Sequence, residues 1–178
     1  MSTLITTTAQ IGTVKDAGGN ATAMTIDSTG RVLQPAKPSF HVRMSTGSGQ
    51  GVQGVLTFNE EDFDIGNNYN ISNGRFTAPV AGIYCFMFDA LVAGNTGASA
   101  LGDGSPAAVE FVKNGASGLY GQRSYNRTDG ATQFNTINRI DLIQLNATDY
   151  VQVNVPLSYI YVDATGDYDP VFQGYLVG

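Results

Sequence analysis

Residues 76 to 86 read FTAPVAGIYCF, and this stretch decides the fold class of the chain. A helix does not fit it, because Pro79 lacks a backbone donor and Gly82 loosens the chain three residues later. A corner between two β-strands fits better. The first strand then ends before Pro79, and the second begins near Gly82.

The strand after this corner carries apolar residues on both faces. Tyr84 and Phe86 lie on one face, and the alternate residues Ile83, Cys85 and Met87 lie on the other. Strands with two apolar faces are normally covered on both sides. The pattern therefore predicts that an oligomer covers the face that the chain's own core leaves open.

The rest of the chain repeats the alternation of short apolar runs and turn residues. Gly is abundant, at 22 residues, and only 13% of the residues are charged. No helical periodicity of useful length is present. About ten strands are expected from residue 38 onward, which is typical of an antiparallel sandwich or barrel. They are expected at residues 39–44, 55–58, 75–78, 83–92, 109–115, 118–125, 136–145, 150–155, 159–162 and 171–177.

Residues 1–37 differ from the rest, since they are rich in Thr, Ala and Gly and contain no aromatic residue. They suggest two extended pieces, the second a small hairpin with Gly30 in its turn. An isolated hairpin is marginally stable in water, so we expect another chain to hold this arm. PAKP at 35–38 is expected to form a stiff joint. The candidate arm contacts are Leu4, Ile5, Ile11, Met24 and Ile26.

The charge of the chain excludes two classes of partner. The formal net charge is −6, and the Lys residues at 15, 37 and 113 are scattered. Nucleic acids and anionic membranes require clustered basic residues, so neither is expected as a partner. The first ten residues show no secretory signal, and we expect synthesis in a cytoplasm.

The sequence offers no catalytic constellation. His41 is the only histidine, and without an obvious carboxylate or Cys partner it supplies no general base or zinc site. Cys85 lies within an apolar strand and is expected to pack as a small hydrophobe. No phosphate loop or nucleophile elbow is present. We therefore expect no enzyme activity, no catalytic residues and no cofactor.

One acidic loop leaves calcium open as an alternative. Asp163, Asp167 and Asp169 lie in the loop DATGDYD, and hard oxygen ligands at such spacing suit calcium. The spacing does not match an EF-hand, and solvated carboxylates are the favoured interpretation. The acidic run EEDFD at 60–64 is interpreted in the same way, as a solvated segment.

Several motifs together resemble one known family. They are FNEEDFDIGNNYN (58–70), NGRFTAPVAGIYCF (73–86), VKNG (112–115), LIQLNATDYVQVNV (142–155) and FQGYLV (172–177). Their order is similar to that in the globular head of complement component one, subcomponent q, a relative of the tumour-necrosis-factor jelly rolls. The resemblance covers residues 38–178. It implies a ten-stranded jelly roll in a tight homotrimer, and a binding module instead of an enzyme. The candidate contributors to the core and the trimer seam are Phe40, Val42, Tyr84, Phe86, Val153, Phe172, Tyr175 and Leu176.

The arm carries a second, separate resemblance. Its segment AMTIDSTGRV is similar to the N-terminal segments of trimeric virion proteins in tailed bacteriophages. We therefore expect a virion protein, made in the host cytoplasm, whose arm binds the major capsid protein or another virion protein. A capsid decoration or cement protein is favoured, because the chain contains no long shaft. A tail or head fibre component that contacts a host glycan and a free glycan- or protein-binding module remain as alternatives.

Overall fold

The computed structural model describes residues 13–15, 17–19, 22–45, 50–93, 108–122, 135–162 and 169–178. The chain divides into two compact units, Met1–Lys37 and Pro38–Gly178. We call the first unit the arm and the second unit the head. Among the residues just given, none forms a helix with the length and apolar character that a membrane crossing requires.

All regular structure in the described residues is β-strand. The strands of the arm are β1 (Thr13–Lys15), β2 (Thr22–Ile26) and β3 (Val32–Leu33). The described strands of the head are β4 (Ser39–Arg43), β5 (Gln50–Val55), β6 (Glu60–Ile65), β7 (Tyr69–Asn70), β8 (Arg75–Thr77), β9 (Gly82–Ala93), β10 (Val109–Lys113), β11 (Ala116–Gln122), β12 (Asn135–Leu145), β13 (Tyr150–Val162) and β14 (Val171–Leu176).

The strands of the head form two layers. The front sheet has the order β6-β4-β14-β9-β12, and the back sheet has the order β7-β8-β13-β10-β11. Strand β5 continues along the β8 edge of β13. The last part of β13 then crosses to the front sheet, where Tyr159 and Tyr161 pair with Ala93 and Leu91 of β9. The predicted all-β antiparallel sandwich is confirmed, and it is a jelly roll.

Aromatic rings fill the space between the two layers. The ring centroid of Phe172 lies 4.9 Å from that of Phe40, 5.6 Å from Phe58 and 5.9 Å from both Phe86 and Phe111. All five side chains are buried. Burial of one such side chain stabilises a fold by about 1.5–3 kcal/mol, so these rings hold the two sheets together.

The corner at residues 78–81 carries the chain from one sheet to the other. Before it, Thr77 pairs with Tyr150 in the back sheet, and after it Gly82 pairs with Leu145 in the front sheet. The Tyr84 hydroxyl fixes the corner by donating to the Val80 carbonyl at 2.8 Å. The corner predicted from the sequence is therefore present. Pro79 and Gly82 lie where the chain passes from the back sheet to the front sheet.

Gly174 occupies a place in β14 that has no room for a side chain. A Cβ atom there would lie 2.8 Å from Cδ1 of Phe86, 2.9 Å from the Cys85 carbonyl oxygen and 2.9 Å from Cε1 of Phe40. Real Cβ atoms do not approach backbone oxygens so closely. The glycine therefore lets β14 lie directly over the aromatic core.

Three expected strand positions differ from the structure. Residues 56–58 follow β5 and lie outside any strand, whereas the acidic run at 60–64 forms most of β6. Charged residues are accepted there because β6 is an edge strand that pairs only with β4 among the described strands. The two runs at 150–155 and 159–162 form a single strand, β13, whose register shifts between Val155 and Ile160. Pro156 lies in this irregular part, where no ladder donor is needed.

One end of the head, which we call the base, gathers short turns and both ends of the unit. The Leu176 amide donates to the Pro38 carbonyl at 2.9 Å, and the Ile83 amide donates to the Gly178 carbonyl at 3.0 Å. The β12–β13 turn and the β10–β11 turn lie at the same end, because Leu145 pairs with Gly82 and Lys113 with Val151. The head therefore begins and ends at its base.

The described part of the arm is a three-stranded sheet with the order β1-β2-β3. The predicted hairpin is present between β2 and β3, with Gly30 at φ 84°. The Asp27 carboxylate organises its turn, since Oδ1 accepts from the Thr29 amide at 2.8 Å and Oδ2 accepts from Arg31 Nε at 2.6 Å. Hydrogen bonds from Thr29 and Arg31 hold the pKa of Asp27 well below its usual range.

Candidate functional site

The outer face of the front sheet is apolar over two neighbouring rows of side chains. The register of the strands sets these rows. The first row contains Ile65, Ser39, Tyr175, Cys85 and Leu142, and the second contains Phe63, His41, Gln173, Met87 and Ile140. We call these two rows, together with Ile83, the apolar face. The next row is polar and contains Glu60, Arg43, Val171, Asp89 and Asn138.

Large side chains of the apolar face are open to solvent in the single chain. Ile140 is 71% exposed and Leu142 is 59% exposed, and Ile83, Phe63 and Tyr175 are exposed as well. Both faces of β9 are apolar, as its sequence indicates, and the chain itself covers the outer face only in part. A contiguous exposed patch of this kind is typical of an interaction site.

Cys85 lies in the middle of the apolar face and is buried. The Tyr175 phenol lies beside it, because Tyr175 and Cys85 are register partners. The electrostatic interaction with Cys85, followed by a hydrogen bond between the two side chains, raises the pKa of the Tyr175 phenol.

His41 has a carboxylate partner, contrary to the expectation from the sequence. Its Nδ1 atom lies 2.7 Å from Oδ2 of Asp62, and its ring stacks on Phe63 at 6.0 Å. Arg43 donates to the same carboxylate at 2.9 Å, and its hydrogen bond lowers the pKa of Asp62. The partner is 21 residues away along the chain, so no local pattern reveals it. The Asp62 carboxylate is thus held by two side chains and is not merely solvated.

The described residues form no cluster that supports the calcium alternative. Asp163 and Asp167 lie outside the described part of the chain. Asp169 is occupied by Arg43, whose Nη1 lies 3.0 Å from Oδ2 of Asp169. No group of three or more His, Cys, Asp or Glu residues that could hold a metal ion is found within the described ranges.

The residues expected in the core and at the trimer seam fall into two groups. Six of them are buried between the two sheets of one chain. They are Phe40, Val42, Tyr84, Phe86, Val153 and Phe172. Tyr175 is exposed on the apolar face and Leu176 is half-buried. Of the predicted set, therefore, Tyr175 has the most surface to offer a neighbouring subunit.

The expected arm contacts lie partly within the described residues. Leu4, Ile5 and Ile11 lie outside them. Met24 and Ile26 share one face of β2, and the register adds Val14 and Val32 to that face. We call these four residues the arm face. Ile26 and Val32 are exposed, so one side of this small sheet consists of apolar side chains without cover from its own strands.

Ile140 and Leu142 are the surface residues that the sequence analysis missed. The segment TINRIDLIQL carries apolar residues at alternate positions of both faces, as IYCFMF does. Ile137 and Ile143 point to the core, and Ile140 and Leu142 point outward. The presence of apolar residues on both faces, which identified β9 from the sequence, is therefore also a feature of β12.

Comparisons with known proteins agree with this geometry. The family model of the C1q domain matches residues 39–177. Among solved structures, the globular domain of zebrafish complement 1qA protein superposes with a TM-score of 0.57 at 19% sequence identity. The match covers 80% of this chain and 98% of that chain. At this level of identity the likeness shows the fold.

Proposed function

This chain belongs to the C1q domain family, a family of globular binding and structural domains without enzyme activity, and from that premise we propose a homotrimeric structural role. More narrowly, we propose that it decorates the capsid of a tailed bacteriophage. The head forms the trimer, and the arm anchors the trimer to the particle. The observation that carries the proposal is the apolar face of the front sheet.

The apolar face supports the trimer. Ile140 and Leu142 are the most exposed large apolar residues among those described, and they project from β12, which pairs only with β9 in the described part of the head. A sister subunit that covers this face would remove both the apolar surface and the open strand edge from water. Burial of one Leu or Ile side chain stabilises an interface by about 1.5–3 kcal/mol. A trimer would gain this free energy at each of its three interfaces.

The arm face supports anchoring. The arm face is apolar across all three strands, and Val14, Ile26 and Val32 are open to solvent there. The opposite side of β2 carries Ala23 and Thr25, with the exposed Leu33 as the partner of Thr25, so the arm face is the larger apolar surface of the two. Three arms on one trimer bind a surface with far higher avidity than a single arm.

The virion assignment rests on the arm sequence. The turn of AMTIDSTGRV, which resembles phage virion segments, is built around the hydrogen bonds of Asp27. In this proposal the partner is the major capsid protein or a neighbouring virion protein.

Copy number is the first test of this proposal. Quantitative mass spectrometry of purified virions would give the ratio of this chain to the major capsid protein. A ratio within a small factor of one is expected for a decoration protein. A few copies per particle would contradict decoration and indicate a tail or head fibre, and absence from virions would indicate a free module.

Deletion of residues 1–37 tests the anchor. The truncated protein should remain a trimer and should no longer bind particles. Ile26→Asp is the finer variant, because it places a charge on the arm face, and Thr25→Asp is its matched control on the opposite side of β2. If Ile26→Asp loads onto particles as well as Thr25→Asp does, the arm face is not the anchor.

A further inference from the structure

Arg75 is the one basic side chain of the described head that lacks an acidic partner. The other Arg and Lys side chains there are in ion pairs with carboxylates. These pairs are Arg43 with Asp62 and Asp169, Lys113 with Asp149, and Arg139 with Asp141. Within the described residues, the Arg75 guanidinium contacts no carboxylate, and its Nε atom is buried without a hydrogen-bond acceptor.

The guanidinium of Arg75 is held in place by an aromatic ring. Its Cζ atom lies 4.0 Å from the ring centroid of Tyr150. The two residues belong to neighbouring strands of the back sheet, since Tyr150 pairs with Thr77, two residues after Arg75. Stacking on an aromatic face orients the planar fork and leaves its edge free for a planar acceptor. A carboxylate is the acceptor that matches this fork with two parallel hydrogen bonds.

An open groove with polar and apolar lining lies next to this arginine. Its volume is about 670 Å³, and it lies at the base of the head. Asn70, which is the register partner of Arg75, and Thr77, which lies on the same face of β8, both line it. The groove and the arginine therefore belong to one continuous surface, and this surface is on the opposite side of the sandwich from the apolar face.

Amide and hydroxyl groups share the lining of the groove with the apolar side chains of Ile71, Ala78 and Pro79. The Asn67 amide and the Thr77 and Thr148 hydroxyls line it, and none of these three side chains hydrogen-bonds to another described residue. Such groups match the paired hydroxyls of a sugar ring, because each amide both donates and accepts. Among the described residues of the lining, Glu61 alone is charged.

We propose that Arg75, Tyr150 and this groove form a binding site for an acidic polysaccharide, with a uronic acid carboxylate on Arg75 and the neighbouring sugar hydroxyls in the groove. The single positive charge of Arg75 matches the single carboxylate of one uronic acid residue. Sulfated glycans and nucleic acids, which need several cations, do not suit a surface with one arginine and the Glu61 carboxylate. The site goes beyond the proposed structural role and does not depend on it.

An acidic peptide fits this surface less well than a sugar. Extended peptides bind by adding a strand to an open sheet edge or by filling pockets with side chains. The strand at the rim of the groove, Tyr69–Asn70, is only two residues long, which is too short to template another strand.

The test is a titration of the full chain with defined oligosaccharides, followed by isothermal calorimetry and by NMR. The probes are an oligomannuronate, a neutral dextran oligosaccharide of the same length and an oligo-glutamate peptide. Binding of the oligomannuronate alone is expected. Arg75→Gln should weaken that binding by about tenfold or more. Lys15→Gln, which removes the same charge from the arm, should leave it unchanged.

Three results of the titration with wild-type protein would overturn the proposal. They are equal binding of the neutral sugar, preferred binding of the peptide, and failure of the oligomannuronate to bind up to its solubility limit. Equal affinity of Arg75→Gln and the wild type would also overturn it. A melting curve of each variant shows whether it is folded, and Thr77→Val supplies a second variant that keeps the shape of the groove wall while removing one hydroxyl. This variant should also weaken the oligomannuronate, by a smaller factor.

Discussion

The side-chain amide of Asn114 donates to the carboxylate of Asp149 at 2.7 Å, and this contact ties the β10–β11 turn to the β12–β13 turn. The same carboxylate accepts from the Asn146 amide nitrogen at 2.8 Å and lies 2.9 Å from Lys113 Nζ. The hydrogen bond from Asn114, followed by those from Asn146 and Lys113, lowers the pKa of Asp149 to about 2. The Lys–Asn–Gly turn thus holds a carboxylate of another turn in its ionised form.

We predict that this carboxylate stabilises the head in a pH-dependent way. Because its pKa is lower in the folded state, its contribution is complete above the ordinary Asp pKa of 3.8 and is lost as the pH falls toward about 2. Urea denaturation of Asp149→Asn should therefore show lower stability than the wild type near neutral pH. The difference should shrink steadily as the pH is lowered through this window.

Asn146→Ala is the matched control for the carboxylate, because Asn146 contributes its backbone amide and not its side chain. This variant should keep the pH dependence of the wild type. A constant difference between Asp149→Asn and the wild type at every pH would contradict the prediction.

Gly174→Ala should destabilise the head. The added methyl group would overlap the Cys85 carbonyl and the rings of Phe86 and Phe40, none of which can move without disturbing the aromatic core. Overpacking of a well-packed core costs about 1–3 kcal/mol. The urea midpoint should fall while the slope of the transition stays unchanged. Gly178→Ala is the control, since no atom lies within 4 Å of its Cβ position.

Leu142→Glu should dissociate the trimer that we propose. The substitution places a charge in the middle of the apolar face, where a sister subunit would have to bury it. Light scattering after size exclusion should show a monomer of native secondary structure. Val80→Glu changes an exposed apolar residue of the corner and should remain trimeric. A trimer that persists in Leu142→Glu would place the interface elsewhere.

Thr148→Gly should raise stability. Thr148 has φ 74°, and a β-branched side chain in the left-handed region is strained by about 1–2 kcal/mol. Glycine relieves this strain but is more flexible in the unfolded chain, so the net gain is expected to be about 1 kcal/mol or less. Ala147→Gly in the same turn has no strain to relieve and should lower stability. A fall in melting temperature for Thr148→Gly would exclude strain at this turn.

The fold class could be predicted from the chain because its strongest signals are local. Pro79 and Gly82 exclude a helix at the corner, and the alternation around them marks two strands. The acidic β6 could not be recognised in this way, because only Phe63 and Ile65 are apolar among its six residues and the other four are acidic. A strand at a sheet edge tolerates such charge. Residues 150–155 and 159–162 were predicted as two strands, whereas they form one strand, β13, which accommodates Pro156 in its irregular part.

The surfaces could be predicted less well, because they depend on contacts between distant residues. His41 and Asp62 meet only when β4 pairs with β6. That Arg75 has no carboxylate partner among the described residues has no sequence signal at all, since it depends on where every other charge lies. Ile140 and Leu142 could have been predicted as surface residues, because their segment, like β9, carries apolar residues on both faces.

Strand β13 belongs to both sheets, and this has a consequence for how the head opens. Its first half pairs with β10 and its last part with β9, so neither layer can separate from the other while β13 stays in place. A local opening that frees one layer alone is therefore blocked, and the head is expected to behave as a single cooperative unit. The amides of Phe111 in β10 and of Phe88 in β9 should then exchange with deuterium at the same slow rate, both through global unfolding.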